Sequence, residues 1–286
     1  MVNFARRNGF RQILVQVRGR GYAYYKSALV QKAPYIKDKG FDPLTYAVSL
    51  GHAAGLEVHA WLNIYVLWSA PSKPRERSHI LNVHPEWTES DFLGIRDIDQ
   101  MWNEESSTGF FAGVYFSPTN PQVNPYLLNV IQEVAENYEV DGIHLDYIRF
   151  QDMTYGYNPA GRAAFKTRYG IDPLDLPSLS KENVSAKLAN KYGIYIDAWN
   201  RYRRGRITSL VKHTKEICDQ HGIQLSAAVK PNMDSARNRF FQDWRRWVEE
   251  GYVDYVIPMN YARTLSQFMS NFRDIRNTLP PDRIVM

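Results

Sequence analysis

The 286-residue sequence contains one cysteine, Cys218. A single cysteine excludes an internal disulfide and a zinc cluster built from cysteines. No stretch approaches the roughly 18 apolar residues that a membrane-spanning helix needs. The first residues also lack the apolar segment of a signal peptide. The sequence therefore predicts neither a disulfide scaffold nor a membrane-spanning segment.

Motifs of several common chemistries are missing as well. There is no HExxH, GxSxG, GxGxxG or P-loop pattern, and no zinc-finger spacing or RNP motif. His79 and His84 stand five apart, but no convincing third ligand accompanies them. We therefore predict no metal and no cofactor. The net charge of +5 is mild, and its densest cluster, Arg201 to Arg206, is typical of a solvated helix face. No nucleic-acid partner is predicted, and the oligomeric state stays open.

What the chain has in quantity is aromatic residues, with 7 Trp and 19 Tyr. Such side chains form flat platforms for sugars, although many of them also belong to ordinary protein cores. The length suits one α/β barrel, which commonly needs about 250 residues. We predict a single domain over residues 1–286.

Strand-like apolar runs alternate with helical patterns along the chain, which indicates βαβ units and a parallel sheet. The predicted strands are Ile13–Val17, Leu56–Tyr65, Gly142–Phe150, Ile223–Val229 and Val253–Tyr261, with another beginning at Arg283. The predicted helices are Pro43–Ala54, Pro125–Tyr138, Ile194–His221, Phe241–Glu250 and Leu265–Thr278.

Four helix-to-strand junctions share a glycine before an apolar run, at Gly9, Gly55, Gly222 and Gly251. This repetition favours a TIM-type (β/α)8 barrel over the alternative, a doubly wound sheet. Five strands and the start of a sixth are fewer than eight. We therefore expect an incomplete barrel that lacks the first strand and the last one or two βα units.

Two segments are too long to be simple connections, at about residues 66–124 and 151–193. Both follow predicted strands, and in such barrels the loops after strands build the functional face. The first segment contains Trp68, Trp87 and Trp102, so we expect it to wall a groove.

The stretch DGIHLDYIRF, residues 141–150, carries polar groups where a buried strand normally carries aliphatic ones. Alternation along a strand places His144 and Asp146 on one face. Burying such groups is costly unless they are paired or used. Arg149 follows near the strand end and is expected to keep Asp146 ionised. Asp141 is predicted to be a cap or turn residue.

Other candidate residues end the neighbouring strands. His59, Trp61 and Asn63 alternate along LEVHAWLNIY and share a face, either as a sugar platform or as packed interior. Arg18 ends the first strand and is a candidate for an anionic substrate group. Asn260 and Tyr261 end another strand, and Lys230, Asn232 and Asp234 follow the strand at residues 223–229.

DGIHLDYIRF and the preceding FSPTNPQVNPYLLNVIQEVAENYEV resemble the glycoside-hydrolase-like family 10 of bacteria, the DUF187 barrels. Further similar stretches are FRQILVQVRGRGYAYYKSAL, GLEVHAWLNIY, HPEWT, QDWRRWVEEG and VDYVIPMNY, in the family's order. The resemblance spans nearly the whole chain. It implies a TIM-type barrel, an extracytoplasmic bacterial setting, and hydrolysis of glycan strands, with peptidoglycan-type strands as the leading substrate. It also implies further strands before and after this chain.

The same stretch is faintly similar to the chitinase pattern DGxDxDxE. Asp141 and Asp146 match two of its acids, but His144 and Ile148 replace the others. Asp146 is therefore carried over as a catalytic carboxylate. Glycosidases generally use two carboxyl groups. Asp234 is the predicted second one, with Glu104 or Glu105 as the fallback.

Two functions of different classes follow from these patterns. The first is an O-glycosyl hydrolase in which Asp146 acts as nucleophile, base or stabiliser and His144 and Arg149 orient it. The second is a non-catalytic carbohydrate-binding barrel that keeps an aromatic groove. A metal-dependent deacetylase is disfavoured because a ligand set is missing.

Overall fold

The structure is a computed structural model. It describes residues 1–38, 40–101, 113–177 and 186–285. In the last of these segments, side chains are described from residue 191 onward. The centre of the structure is a six-stranded sheet. The strands of this sheet are β1 (Gln12–Gly19), β2 (Tyr22–Ala23), β3 (Glu57–Asn63), β6 (Gly142–Asp146), β7 (Gln224–Val229) and β8 (Tyr255–Pro258). They lie in the order β2-β1-β3-β6-β7-β8. β4 (Val66–Trp68) and β5 (Val114–Tyr115) form a separate antiparallel ribbon.

Helices connect the strands in the alternating order that the sequence predicts. The main ones are α2 (Pro43–Ala53), α5 (Val123–Asn137), α7 (Ala186–His221), α9 (Trp244–Glu249) and α10 (Leu265–Thr278). Shorter or additional ones are α1 (Val2–Arg7), α3 (Ile80–Val83), α4 (Asp97–Gln100), α6 (Pro159–Tyr169) and α8 (Met233–Arg239). Within the described ranges, no helix combines the length and apolar character that crossing a bilayer requires.

Five of the strands run parallel, and the short β2 pairs antiparallel with β1 at one edge. At the other edge Ile284 forms a single parallel bridge with Val256. Arg283, where the sequence predicts the start of a strand, lies in a short 3-10 helix over Pro281–Arg283. Parallel strands joined through helices are the TIM-type arrangement. The sheet is open over the described part of the chain.

The glycines at the predicted junctions have the conformation that the sequence indicates. Gly9, Gly55, Gly222 and Gly251 all have φ between 66° and 73°. Only glycine adopts this left-handed region at little cost, so each can end its helix and start the turn into the next strand.

One face of the sheet is apolar and lies under the helices. Val58, Leu62 and Leu145 are fully buried on this face. α2 packs closely on it, since a Cβ added at Gly51 would lie 2.3 Å from Val58 Cγ2. A side chain larger than hydrogen at that position would push the helix off the strands.

The opposite face of the sheet carries the polar side chains. In the register of β3, β6 and β7, Trp61 lies opposite His144, and His144 lies opposite Ser226. Asn63 lies opposite Asp146 at the carboxyl ends of their strands. The alternation predicted for residues 142–146 is therefore confirmed, although the strand ends at Asp146 rather than at Phe150.

The two long connecting segments hold structure of their own. The first contains the β4–β5 ribbon with α3 and α4, and the second contains α6. α6 packs beside α7 through a small apolar cluster of Phe165, Ala198 and Trp199, separate from the main core. The segments thus build additional walls beside the sheet.

Candidate functional site

Asp146 ends β6 on the polar face and is only 8% exposed. One of its carboxylate oxygens, Oδ1, accepts a 2.7 Å hydrogen bond from the backbone N–H of Tyr147. Two cations, Arg149 and Lys230, are among the groups that shift its pKa most.

The pKa of Asp146 is raised above its ordinary value, and burial is the largest cause. The Tyr147 N–H, the Arg149 guanidinium, the Trp61 indole and the Lys230 ammonium each lower it, but together they do not offset the loss of solvation. The net direction corrects the expectation that Arg149 would dominate and hold the acid ionised. A carboxyl group with a raised pKa is suited to donating a proton.

Tyr147 has φ of 51°, a left-handed conformation that is rare for a residue with a bulky side chain. This conformation ends β6 and turns the Tyr147 N–H back onto Asp146. Backbone strain of this kind persists where surrounding packing holds it, and it clusters at functional sites.

Arg149 lies beyond this turn, and its guanidinium sits 5.2 Å from the ring centres of both Tyr147 and Phe240. Its Nη1 donates to the Phe150 carbonyl at 3.1 Å, whereas its buried Nε has no hydrogen-bond partner among the described residues. Lys230 follows β7, and its ammonium lies 4.9 Å from the Phe240 ring centre. Burial and Arg149 lower the pKa of Lys230 to about 8.

His144 and Trp61 form the layer below Asp146. The His144 Nδ1 is 2.9 Å from the Ser226 hydroxyl, and its ring meets the Trp61 ring edge-on at 6.2 Å. Burial lowers the pKa of His144 to about 4, with a smaller contribution from His59. His144 is therefore a neutral imidazole at neutral pH, which orients its neighbours rather than supplying charge.

A cleft of about 430 Å³ opens at the carboxyl ends of β1 and β3. Its lining includes Gln16, Asn63, Tyr147, Tyr24, Tyr35 and Trp68. Gln16 donates to the Asn63 side-chain oxygen at 3.3 Å, and the Tyr24 and Tyr35 rings are 5.7 Å apart. Amide groups beside aromatic rings, of which Tyr35 is the most exposed, give a surface that presents both hydrogen bonds and flat apolar area to a sugar. Because Asn63 and Tyr147 flank Asp146, this cleft is the candidate site.

His59 was a predicted substrate-binding residue, but it is fully buried. It lies opposite Gly142, at the amino end of β6, two residues lower in the sheet than Trp61. Its imidazole is 3.4 Å from the Tyr255 hydroxyl and 3.6 Å from Glu57, and burial lowers its pKa. His59 therefore packs the interior, which was the other interpretation of the pattern.

Arg18 was predicted to reach an anionic substrate group, and this prediction is wrong. The register slips between Gln16 and Arg18, so a β-bulge moves Arg18 from the polar face. It is fully buried, donates to the carbonyls of Asn63 and Ile64, and lies over the Phe116 ring. Arg18 thus anchors the end of β3 from below.

The remaining predicted residues lie outside the cleft. Asp234 is exposed on α8 and lines a separate groove with Arg237, Asp243 and Asp274. The structure therefore does not bring the predicted second carboxylate to the cleft.

The side chain of Asn260 is engaged by α10. It donates to the Phe268 carbonyl and accepts from Asn271. Tyr261 is 88% exposed. The Asp141 carboxylate accepts a hydrogen bond from the Val58 backbone N–H, and its Oδ2 lies 2.8 Å from the His52 Nε2. Asp141 precedes β6, and its side chain is used in structural contacts, as predicted for a cap or turn residue.

The first long segment contributes differently from the expectation. Trp68 lines the cleft, but Trp87 is buried and stacks on His84 at 4.0 Å. Trp102, Glu104 and Glu105 lie outside the described residues. No set of three or more potential metal ligands converges in the described part of the chain.

The sequence places Lys230 after a predicted strand without indicating a role for it, and it does not single out Tyr147 or Ser226. Tyr147 has the parity of the apolar face, and only its left-handed backbone brings it to the cleft. Lys230 was visible as the first polar residue after a strand, a position that in this fold faces the site.

The comparisons with known proteins agree with this architecture. The family model described as Glycosyl hydrolase-like 10 matches residues 2–278. The chain belongs to this family. It is 26% identical over 265 residues to the glycosyl hydrolase YngK of Bacillus subtilis strain 168, covering 88% of this chain and 46% of that protein.

A second relative is the glycosyl hydrolase DigH of Escherichia coli K12, at 26% identity over 278 residues, covering 89% of this chain and 55% of DigH. The chain thus spans about half the length of these curated relatives. Among solved structures, the PgaB (BpsB) glycoside hydrolase domain from Bordetella bronchiseptica superposes with a TM-score of 0.66 at 14% identity, covering 99% of this chain and 75% of that domain. This likeness establishes the TIM-type fold.

Proposed function

We propose that the chain is a glycoside hydrolase that cleaves glycan strands of the bacterial cell wall, with Asp146 as its catalytic acid. The observation that carries the proposal is a buried carboxyl group with a raised pKa whose neighbours Asn63 and Tyr147 line an aromatic cleft. Membership of a glycosyl hydrolase-like family supports the reaction class. The protein would act outside the cytoplasm, where cell-wall glycans are found.

The proposed chemistry follows from the geometry around Asp146. Its protonated form donates to the glycosidic oxygen as the bond to the anomeric carbon breaks. A water molecule then adds its hydroxyl group to the anomeric carbon, and its remaining proton restores the acid form of Asp146. Trp61 and His144 support the carboxyl group from below, and Asn63 offers an amide to a sugar hydroxyl beside it. Tyr24 and Tyr35 provide stacking surface for neighbouring sugars.

The test is release of reducing ends from purified peptidoglycan strands and from neutral chitin-type oligosaccharides. Asp146→Asn removes the proton donor but keeps the side-chain shape, so we expect turnover to fall by about 10²–10⁴-fold with the fold unchanged. Asp175→Asn, an exposed carboxylate on another segment, is the matched control and should retain turnover. Unchanged turnover in Asp146→Asn contradicts the assignment. Loss of turnover in Asp234→Asn would show that Asp234 takes part in the reaction as the second carboxylate.

The alternative is a non-catalytic carbohydrate-binding barrel. It is favoured by one observation: Asp234, the predicted second carboxylate, is exposed on α8 and lines a separate groove rather than the cleft. Glycan binding by calorimetry, without any release of reducing ends by the parent chain, would support this alternative over hydrolysis.

A further inference from the structure

Two cations stand at the site without an anionic partner. Among the described residues, neither Arg149 nor Lys230 forms an ion pair within 4 Å, although Asp146 lies close enough to shift the pKa of Lys230. Arg149 is only 8% exposed, and its Nε is buried without a hydrogen-bond partner. A buried guanidinium without an anionic partner costs stability even with one hydrogen bond to a carbonyl, so its retention calls for a ligand that completes it.

Aromatic rings fix these cations in place. Arg149 lies between the rings of Tyr147 and Phe240, and Lys230 lies on Phe240 as well. Contacts between cations and ring faces hold the charges in position without neutralising them. The two groups thus form a preformed pair of donors at the ends of neighbouring strands β6 and β7.

We propose that Arg149 and Lys230 form a subsite for a carboxylate carried by the glycan, next to the bond whose oxygen Asp146 protonates. A guanidinium and an ammonium together match the two oxygens of a carboxylate through charge-assisted hydrogen bonds. The inference rests on the proposed function and narrows its substrate to acidic glycans. Two sources offer this chemistry, an ether-linked lactyl group on an amino sugar and the ring carboxylate of a uronic acid.

The location of the subsite ties it to the reaction. Asp146, Tyr147 and Arg149 follow one another at the end of a single strand, and Lys230 ends the neighbouring strand. A sugar whose carboxylate reaches these cations therefore lies beside the Asp146 carboxyl group. Binding of the charged sugar would therefore also place the scissile bond beside Asp146.

The experiment measures binding rather than turnover, on the full chain carrying Asp146→Asn. Calorimetry compares lactyl-bearing peptidoglycan strands with the same strands after reduction of their carboxyl groups to alcohols. We expect the charged strand to bind roughly tenfold or more tightly, in line with a charge-assisted pair. An oligosaccharide containing uronic acid forms the third arm, and the tighter of the two charged ligands identifies the source.

Lys230→Met keeps the aliphatic stem that packs on Phe240 and should abolish most of the preference for the charged strand. Lys212→Met removes the same charge from an exposed position on α7 and should keep the preference. Equal binding of charged and reduced strands by the starting chain overturns the proposal. An equal loss for both strands in Lys230→Met also overturns it, since the cations would then serve only packing or the pKa of Asp146.

The comparison of the two strands on the starting chain does not depend on Lys230→Met folding. The outcome is also separable from the proposed function. A charge preference without any turnover by the parent chain supports the subsite and contradicts hydrolysis. Turnover without charge preference supports hydrolysis and overturns the subsite.

Discussion

The backbone N–H of Tyr147 donates to the carboxylate of Asp146 at 2.7 Å, from a left-handed conformation with φ of 51°. The residue after the candidate acid therefore ends the strand, supports the carboxyl group and lines the cleft at once. The strain of this conformation is a stability cost located at the site itself.

This backbone strain predicts an unusual order of stability for two substitutions. Tyr147→Gly relieves the strain, whereas Tyr147→Ala retains a Cβ in a left-handed conformation. We expect the alanine variant to be less stable than the glycine variant by about 1 kcal/mol in urea unfolding. The same pair at Tyr195, inside α7, is the control and should show the opposite order, because helices favour alanine. The same order at both positions contradicts the prediction.

Gly142 makes room for His59 at the amino end of β6. A Cβ at Gly142 would lie 2.3 Å from the His59 Nδ1 and 3.0 Å from the Gln224 carbonyl oxygen. Gly142→Ala should therefore lower the free energy of unfolding by about 1–3 kcal/mol. Gly205→Ala, in α7 with no atom within 4 Å of the added Cβ, should raise it by roughly 0.5–1 kcal/mol. Urea titrations measure both, and a Gly142→Ala chain as stable as the parent would show that His59 has space to move.

Glu89 is fully buried, and burial raises its pKa to about 8 from 4.5. The folded chain therefore keeps this proton up to about pH 8, while the unfolded chain releases it near pH 4.5. The contribution of the protonated group to stability is complete below pH 4.5 and is lost as the pH rises through 8. Glu89→Gln cannot ionise, and its amide oxygen can still accept the Gly156 N–H that Glu89 binds.

We expect Glu89→Gln to be more stable than the parent at pH 9, with a midpoint of thermal unfolding higher by a few degrees, roughly 2–4 °C per kcal/mol. The difference should shrink toward pH 5. Glu216→Gln, an exposed position on α7, is the control and should follow the parent at every pH. A constant difference between Glu89→Gln and the parent from pH 5 to 9 would mean that Glu89 is not the titrating group. Burial and, to a smaller extent, the Glu89 charge raise the pKa of Asp97, so part of the difference between the two chains comes through Asp97.

Much of the fold follows from patterns that the sequence displays directly. Alternation over residues 142–146 assigns the two faces of β6, and the glycines before the strands mark the helix ends. These patterns succeed because the period of a strand and the left-handed preference of glycine are local properties.

The site was less predictable from the sequence. The alternation of side chains along a strand shows which face of the sheet a residue occupies, but not how far it lies from the carboxyl end where the site is. His59 and Asn63 share a face, yet the pairing of β3 with β6 puts His59 at the amino end and Asn63 at the carboxyl end. For Arg18, the β-bulge after Gln16 places the side chain on the apolar face of the sheet instead of the polar face. Neither the register nor the bulge has a residue signature in this chain.

α7 has 36 residues, about 54 Å at 1.5 Å per residue, whereas the six residues of β7 span only about 20 Å. Its carboxyl half lies in the main core through Ile207, Leu210 and Val211. Farther toward its amino end, Trp199 and Ala198 hold the smaller apolar cluster. One continuous helix thus belongs to two cooperative units. Amide hydrogen exchange should therefore be graded along it, with the Trp199 turn opening and closing many times for each global unfolding event.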